Sequence, residues 1–304
     1  MAKPFIKWVG GKRQLMECLL QHLPGEIVPW KGCYFEPFLG GGAAFFEFQQ
    51  RGWIKEAVLN DYNEELVNLY RSVQQKPLSL YQTLQDSRFS NNAESHALIR
   101  NWDRESNWIK KHSNLERAAR FIFLNRTSFN GLWRVNSKNQ FNVPFGRYKT
   151  PGFPTQIQFQ ESSSALQGVT LLNGDFEKAC LKAKSGDFVY FDPPYIPLTE
   201  SASFTSYTDI KFQDNVQERL ARLCDDLTDR GVLWMLSNSS APRAIELFGS
   251  CKNAKIHRVY ASRMVNRDAQ GRGKIEEILV TNYPTQPQES KTHSLLEVVL
   301  NNKS

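Results

Sequence analysis

The sequence predicts an α/β protein, and three stretches carry that prediction. Phe188-Val-Tyr-Phe191 is a run of four apolar residues, as expected of a strand buried on both faces. It is followed at once by Asp192-Pro193-Pro194-Tyr195, and two prolines cannot continue a strand. The second stretch, Tyr34 to Phe46, reads as a short strand, the glycine-rich turn Gly40-Gly41-Gly42 and a helix. The third, Ala57-Val-Leu-Asn-Asp61, reads as another strand ending in an acid. A residue before proline is held away from helix, so the turn after Phe191 is stiff. Asp192 and Tyr195 are therefore expected at the carboxyl end of a strand, where open α/β sheets bind ligands.

Composition narrows the class. The 304 residues suffice for one large domain or a domain with a substantial insertion, and 40% hydrophobic content is ordinary for a globular chain. No apolar run reaches membrane-spanning length, and Met1-Ala-Lys-Pro lacks a signal-peptide core. Five scattered cysteines form no Cys-x-x-Cys pair, and five dispersed histidines form no metal-ligand spacing. These features predict reduced thiols, no metal site and a cytoplasmic protein. The net charge is +7, but residues 96–150 alone hold eleven Lys or Arg against three acids, and no acid occurs between Arg117 and Gln160. Basic charge in one block, mixed with Trp, Phe, Asn and Gln, predicts a polyphosphate partner.

Along the chain, Phe5 to Arg13 opens with Gly10-Gly11, and a helix is expected from Arg13 to about Leu23. A nucleoside-triphosphate loop is disfavoured there, since its pattern needs Gly at Ile6 and Ser or Thr at Arg13. The NAD pattern likewise needs Gly at Phe45. Asp61, nineteen residues after Gly42, stands where an acid takes ribose hydroxyls, which points to an adenosine-type ligand without a pyrophosphate. A helix with Leu66, Leu69, Tyr70 and Val73 on one face follows, and residues 76–120 read as helical and polar. Phe121 to Tyr148 reads as a basic, aromatic-rich hairpin or loop, with a turn at Asn130-Gly131 and a tip at Ser137-Lys-Asn139. Strands are expected again near Val169 to Leu172 and at Val232 to Leu236, the latter ended by Ser237-Asn-Ser-Ser. Leu198 to Asp209 reads as a loop and residues 213–229 as an amphipathic helix. Val259 to Ser262 and Ile275 to Thr281 read as a closing strand pair around the loop 266–274, with a polar tail after Pro284.

The ordered set Lys7-Trp-Val-Gly-Gly-Lys12, Glu36-Pro-Phe-Leu-Gly-Gly-Gly42, Asp61, Leu124-Asn-Arg126, Asn130-Gly-Leu-Trp-Arg134, Phe141-Asn-Val-Pro-Phe-Gly-Arg-Tyr148 and Asp192-Pro-Pro-Tyr195 resembles the DNA adenine-N6 methyltransferases of the GATC-methylating type. The resemblance runs from about Pro4 to Tyr283. It implies a doubly wound, Rossmann-like sheet with an antiparallel final strand. Residues 1–62 and 159–284 would form a discontinuous catalytic domain, residues 63–158 a helical target-recognition insertion, and residues 285–304 a tail. It implies S-adenosyl-L-methionine as cofactor, with Trp8, Lys12, Asp61 and Asp192 at contact positions and Phe38, Gly40 and Gly42 lining the turn below. Asp192, Pro193, Pro194 and Tyr195 would be catalytic. Lys7, Phe129, Asn130, Leu132, Arg134, Pro144 and Tyr148 fall in the DNA-binding set, Phe129 and Asn130 as a wedge, and Leu132, Arg134, Pro144 and Lys7 at base contacts. The implied partner is double-stranded DNA, bound by a monomer; a cognate restriction endonuclease stays open. Two departures occur: Trp133 replaces a small residue, and Ser237-Asn-Ser-Ser lacks a histidine-aspartate pair, which leaves that loop without an assigned role.

The residue types suit that chemistry. An exocyclic adenine amine is a poor nucleophile because its lone pair is delocalised. Asp192 and the Pro193 carbonyl are two fixed acceptors for its hydrogens, and Tyr195 offers a stacking face. Such an amine is unreachable in a stacked duplex, so the base must leave the helix. Three other functions compete. Cytosine-N4 methylation is disfavoured by Asp rather than Ser at 192. RNA-adenine methylation is disfavoured by the same Asp and by the hairpin insertion. A regulator without catalysis is disfavoured by the intact Asp192 and glycine turn.

Overall fold

Among the residues described in the computed structural model (1–8, 15–25, 30–198, 207–262 and 274–285), seven strands form one sheet. They are β1 (Tyr34–Glu36), β2 (Ala57–Asp61), β3 (Val169–Asn173), β4 (Phe188–Phe191), β5 (Leu233–Ser239), β6 (Lys255–Ser262) and β7 (Lys274–Thr281), in the order β3-β2-β1-β4-β5-β7-β6. β3, β2, β1, β4 and β5 run parallel, and β7 is antiparallel to both β5 and β6. Alternation along the strands serves two separate cores. Tyr34, Leu59, Phe188, Tyr190 and Met235 face one. Phe35, Val189, Phe191, Trp234 and Leu236 face the other. Both faces are therefore covered, as parallel sheets require.

The first face is closed by α1 (Met16–Gln21), α2 (Ala43–Gln50) and α3 (Glu64–Gln75), and by the helices between β2 and β3: α4 (Pro77–Leu84), α5 (Ala93–Asn101), α6 (Trp108–Lys111), α7 (Asn114–Thr127) and α8 (Gln156–Ala165). The second is closed by α9 (Phe176–Ala179), α10 (Tyr207–Asp229) and α11 (Pro242–Gly249). Local chemistry sets the helix starts. Asn63 caps α3 through the Leu66 amide, and Ser113 with Glu116 and Thr155 with Gln158 form reciprocal capping boxes on α7 and α8.

Three expectations need correction. Phe121 to Thr127 is the second half of α7, not part of a hairpin: Phe121, Ile122, Phe123 and Leu124 are wholly buried, so burial overrode the turn-rich composition that follows. Ser237 to Ser239 does not end the strand but continues it, paired with Glu277 to Leu279 and buried despite its polarity. α10 begins at Tyr207, inside the segment read as loop. α8 and α11 were not anticipated. The helix read from Arg13 to Leu23 is α1, with Arg13 outside the described residues, as are residues 266–273 of the loop between β6 and β7 and residues 286–304 of the tail.

Candidate active site

Connections from β1 lead outward through β2 to β3, whereas β4 and β5 continue the sheet in the opposite direction. The order therefore reverses between β1 and β4, and the crevice at their carboxyl ends is the place where such sheets take ligands. Three carboxylates mark it: Glu36 ends β1, Asp61 ends β2, and Asp192 follows β4. Asp61 accepts from the Gly40 amide at 2.9 Å and from the Asn63 amide at 2.9 Å. Burial raises its pKa, and those amides with that of Tyr62 oppose the rise. Glu36 is buried and accepts from the Tyr34 hydroxyl at 2.7 Å and from the Phe45 amide in the first turn of α2. Burial pushes its pKa up to about 8; the Tyr34 hydrogen bond opposes this, and the charge of Asp192 adds to it. Behind them the buried Asn60 donates to the carbonyls of Pro37 and Gly174 at 3.0 Å each, joining the ends of β1 and β3.

The glycine turn is packed as well as bent. Trp8 lies against it: a Cβ on Gly40 would come within 2.5 Å of the Trp8 Nε1, so only glycine admits the indole. Gly42 takes the left-handed N-cap position of α2, and the Tyr70 hydroxyl donates to the Gly40 carbonyl at 3.2 Å. Phe38 stacks on Phe176 at 5.2 Å and meets Phe191 edge-on, on the second face of the sheet. Tyr62 is exposed beside Asp61.

After β4, Asp192 is half-buried, Pro193 buried, Pro194 exposed and Tyr195 half-buried. The Tyr195 hydroxyl donates to Glu277 at 2.7 Å, and burial raises its pKa well above the usual range. Cysteine chemistry is absent from this place. Burial pushes the Cys33 and Cys180 thiols up to about 12, so both stay protonated and unreactive. Among the described residues no His, Cys, Asp and Glu group could hold a metal.

A family model described as D12 class N6 adenine-specific DNA methyltransferase matches residues 8–265. The chain belongs to that family. It is 46% identical to a type II methyltransferase of Lactococcus lactis subsp. cremoris, over 92% of this chain and 95% of that one. It is 38% identical to a type II methyltransferase of Methanocaldococcus jannaschii, over 92% and 99%. It is 32% identical to the DNA adenine methylase of Escherichia coli (strain K12), over 93% and 96%. The protein is thus an adenine-specific DNA methyltransferase, with a mixed α/β fold of the Rossmann-like kind and no described helix long and apolar enough to cross a membrane.

In this adenine methyltransferase the DNA-reading candidates gather on residues 128–148, which leave α7 and return against it. Bridges between Ser128 and Phe145 and between Val135 and Phe141 close the loop, with Ser137 to Asn139 at the tip. Asn130 sits at φ 55° and Gly131 at φ 64°, as the Asn-Gly turn requires. Phe129 and Arg134 are exposed, Pro144 is exposed and accepts from the Phe129 amide, and Leu132 is half-buried. Arg134 donates from Nε to Asn142 at 2.8 Å. Tyr148 accepts from the Asn130 amide at 2.8 Å, and the Lys7 ammonium stands 4.9 Å from its ring centre. Asn125, wholly buried in α7, draws this set together: it accepts from the Lys7 amide at 2.8 Å and donates to the carbonyls of Lys7 and Gly131. A Cβ on Gly131 would strike Lys7. Lys7, far away in sequence, is thereby placed on the loop. Trp133 stacks on Phe121 at 3.7 Å, and Phe121 stacks on Trp8, so the departure at 133 fills the space between loop and glycine turn.

The basic block needs a correction. Arg117 and Arg120 are buried, the first paired with Glu64 and Glu65 and the second with Asp103 at 2.6 Å. Arg126 donates to the Phe5 carbonyl, and Arg104 to Asp103 and the Phe141 carbonyl. These four cations build the insertion. Arg134, Lys138, Arg147 and Lys149 are exposed on or beside the loop. Lys12 lies outside the described residues. Sequence reading assigned no role to Glu36, Asn60, Asn125, Gln217, Asn238 or Glu277. Glu36 had a signal, since it ends a strand as Asp61 does; the others act through contacts that no spacing reveals.

Proposed function

We propose that this enzyme methylates the adenine of GATC in double-stranded DNA, using S-adenosyl-L-methionine and a base turned out of the duplex. The observation that carries the reading is the convergence of Asp61, Glu36, the glycine turn and Asp192 on the β1–β4 crevice, beside a loop that exposes Phe129 and Arg134. The site suits that cofactor on chemical grounds. It offers carboxylates for ribose hydroxyls and for a cationic ligand, and the Trp8 indole for an aromatic one. Trp8, Phe38, Gly40, Gly42, Asp61 and Asp192 would hold it, and the family resemblance adds Lys12 to that set. When bound, it supplies an electrophilic methyl group.

The chain's own residues do the rest. Asp192 accepts one hydrogen of the exocyclic amine and the Pro193 carbonyl the other, which aims the nitrogen lone pair and stabilises the positive charge that develops on it. Pro194 keeps the turn rigid, and Tyr195 stacks on the target base. Phe129 and Asn130 fill the space that the base leaves, since an extruded base costs a few kcal/mol of lost stacking. Residues 63–158 read the DNA, while residues 1–62 and 159–284 perform the transfer. Arg134 grips the paired acceptors of a guanine, Lys7 adds a base contact with Tyr148 beneath it, and Leu132 and Pro144 suit a thymine methyl. The relative from Escherichia coli is a DNA adenine methylase, and 32% identity over nearly the whole chain supports the same reaction here. The test is to map methylated adenines in a plasmid exposed to the wild type and to Arg134→Ala. GATC alone is expected for the wild type. One relaxed base is expected for the variant, at a cost of about 1–3 kcal/mol of discrimination. Methylation elsewhere by the wild type overturns the specificity, and GATC alone for both proteins overturns the role of Arg134.

A further inference from the structure

The turn Asp192–Tyr195 has little backbone capacity to hold itself. Pro193 and Pro194 lack amide hydrogens, and the strand ladder of β4 ends at Phe191. Side chains from three distant elements supply what is missing. Gln217 of α10 donates to the Pro194 carbonyl at 2.8 Å. Asn238 of β5 accepts from the Ile196 amide at 3.0 Å and donates to Gln217 at 3.3 Å. Ser239 donates to the Ile196 carbonyl at 2.5 Å. Glu277 of β7, opposite Ser239 in the antiparallel register, takes the Tyr195 hydroxyl at 2.7 Å. Gln217, Asn238 and Ser239 are buried, where a polar group is costly unless it is bonded.

We propose that Gln217, Asn238 and Glu277 are positioning residues that fix the Asp192–Tyr195 turn, and that Glu277 sets the plane of the Tyr195 ring through its hydroxyl. The inference rests on the reading of that turn as the catalytic one. It gives the polar end of β5 a role and explains why Asn238 and Ser239 stay polar though buried. A ring on a single-bonded side chain can rotate about two torsions, and a hydrogen bond at its far end removes that freedom before the base arrives. The Tyr195 hydroxyl stays protonated, held up by burial and by the charge of Asp192, so it remains a donor to Glu277.

The experiment is a double-mutant cycle on Tyr195 and Glu277, read as single-turnover methyl transfer at saturating DNA and S-adenosyl-L-methionine, with DNA affinity and thermal unfolding alongside. Tyr195→Phe keeps the ring and removes the hydroxyl. Glu277→Ala removes the acceptor, and Glu277→Gln keeps one. Tyr195→Phe and Glu277→Ala should each slow the transfer step by about 10- to 100-fold, the scale of a small misplacement, with DNA affinity within about twofold of wild type. Their combination should be no slower than either alone, and Glu277→Gln should recover most of the rate. Additive effects, or an unchanged rate in Tyr195→Phe, overturn the proposal. So does a loss confined to DNA affinity or to melting temperature. Tyr195→Phe alone decides the matter if Glu277→Ala does not fold. Asp192→Ala separates the two levels: if it still transfers methyl groups, the reading of the turn itself fails. If it is inactive while Tyr195→Phe is unimpaired, only the positioning role fails.

Discussion

Three acids at the sheet's switch point differ in what their surroundings ask of them. Asp192 is half-buried after a strand and is the proposed acceptor for the reacting amine. Asp192→Ala should lower single-turnover methyl transfer by about 10²–10³-fold, the range for loss of one preorganised hydrogen-bond partner, with DNA binding retained in a gel-shift assay. Glu36 is different, because burial raises its pKa to about 8 and it holds a proton at neutral pH in the cofactor-free protein. In the unfolded chain it ionises near the ordinary carboxylate value, so between about pH 4.5 and 8 the folded state binds more protons than the unfolded one. Stability from this group is therefore lost as pH rises through that window. Glu36→Gln keeps the acceptor for Tyr34 and cannot ionise. Its melting temperature relative to wild type should climb from pH 5 to pH 8.5 in the absence of cofactor, and a flat difference across that range would contradict the buried-acid assignment.

Among elements, α7 decides how the loop 128–148 is held. Asp103 is the hinge of that arrangement: it pairs with Arg120 and Arg104 and accepts the Phe141 amide at 2.7 Å. Asp103→Ala would strand the Arg120 guanidinium, which is 1% exposed, and should cost about 3–5 kcal/mol in denaturant unfolding. Lys149→Ala, on the exposed surface, should stay within about 0.5 kcal/mol. Equal costs would show that the buried pair contributes no more than a surface charge.

Over the whole molecule, the net charge of +7 understates how the cations divide. Arg117, Arg120 and Arg126 are tied into the interior, Arg104 pairs with Asp103 from the exposed side, and Arg134, Lys138, Arg147 and Lys149 stand on or beside the loop. Affinity for DNA should fall steeply with salt, at roughly 0.9 of a log unit per phosphate neutralised for each tenfold rise. The slope should shrink by about 1 in Lys149→Ala and stay unchanged in the conservative internal variant Arg126→Lys, provided it folds. A salt slope near zero for the wild type would contradict the loop as the DNA-binding surface.

The sequence by itself determined the α/β class, the strands Ala57–Asp61 and Phe188–Phe191, the glycine turn and the place of Asp192, because glycine, proline and runs of apolar residues act through the local backbone. The Asn130-Gly131 turn was legible for the same reason. Only the tertiary structure decided which of the basic residues reach solvent, that Phe121 to Thr127 is core helix, and that Lys7 stands on Tyr148. It alone decided that Ser237 to Ser239 extend a strand and that Asn238, Gln217 and Glu277 surround the motif turn. Those outcomes turn on pairings between residues far apart in the chain, 118 positions for Lys7 and Asn125, and on burial, which makes a polar side chain either a paired structural element or an impossibility. Local preference has no access to either.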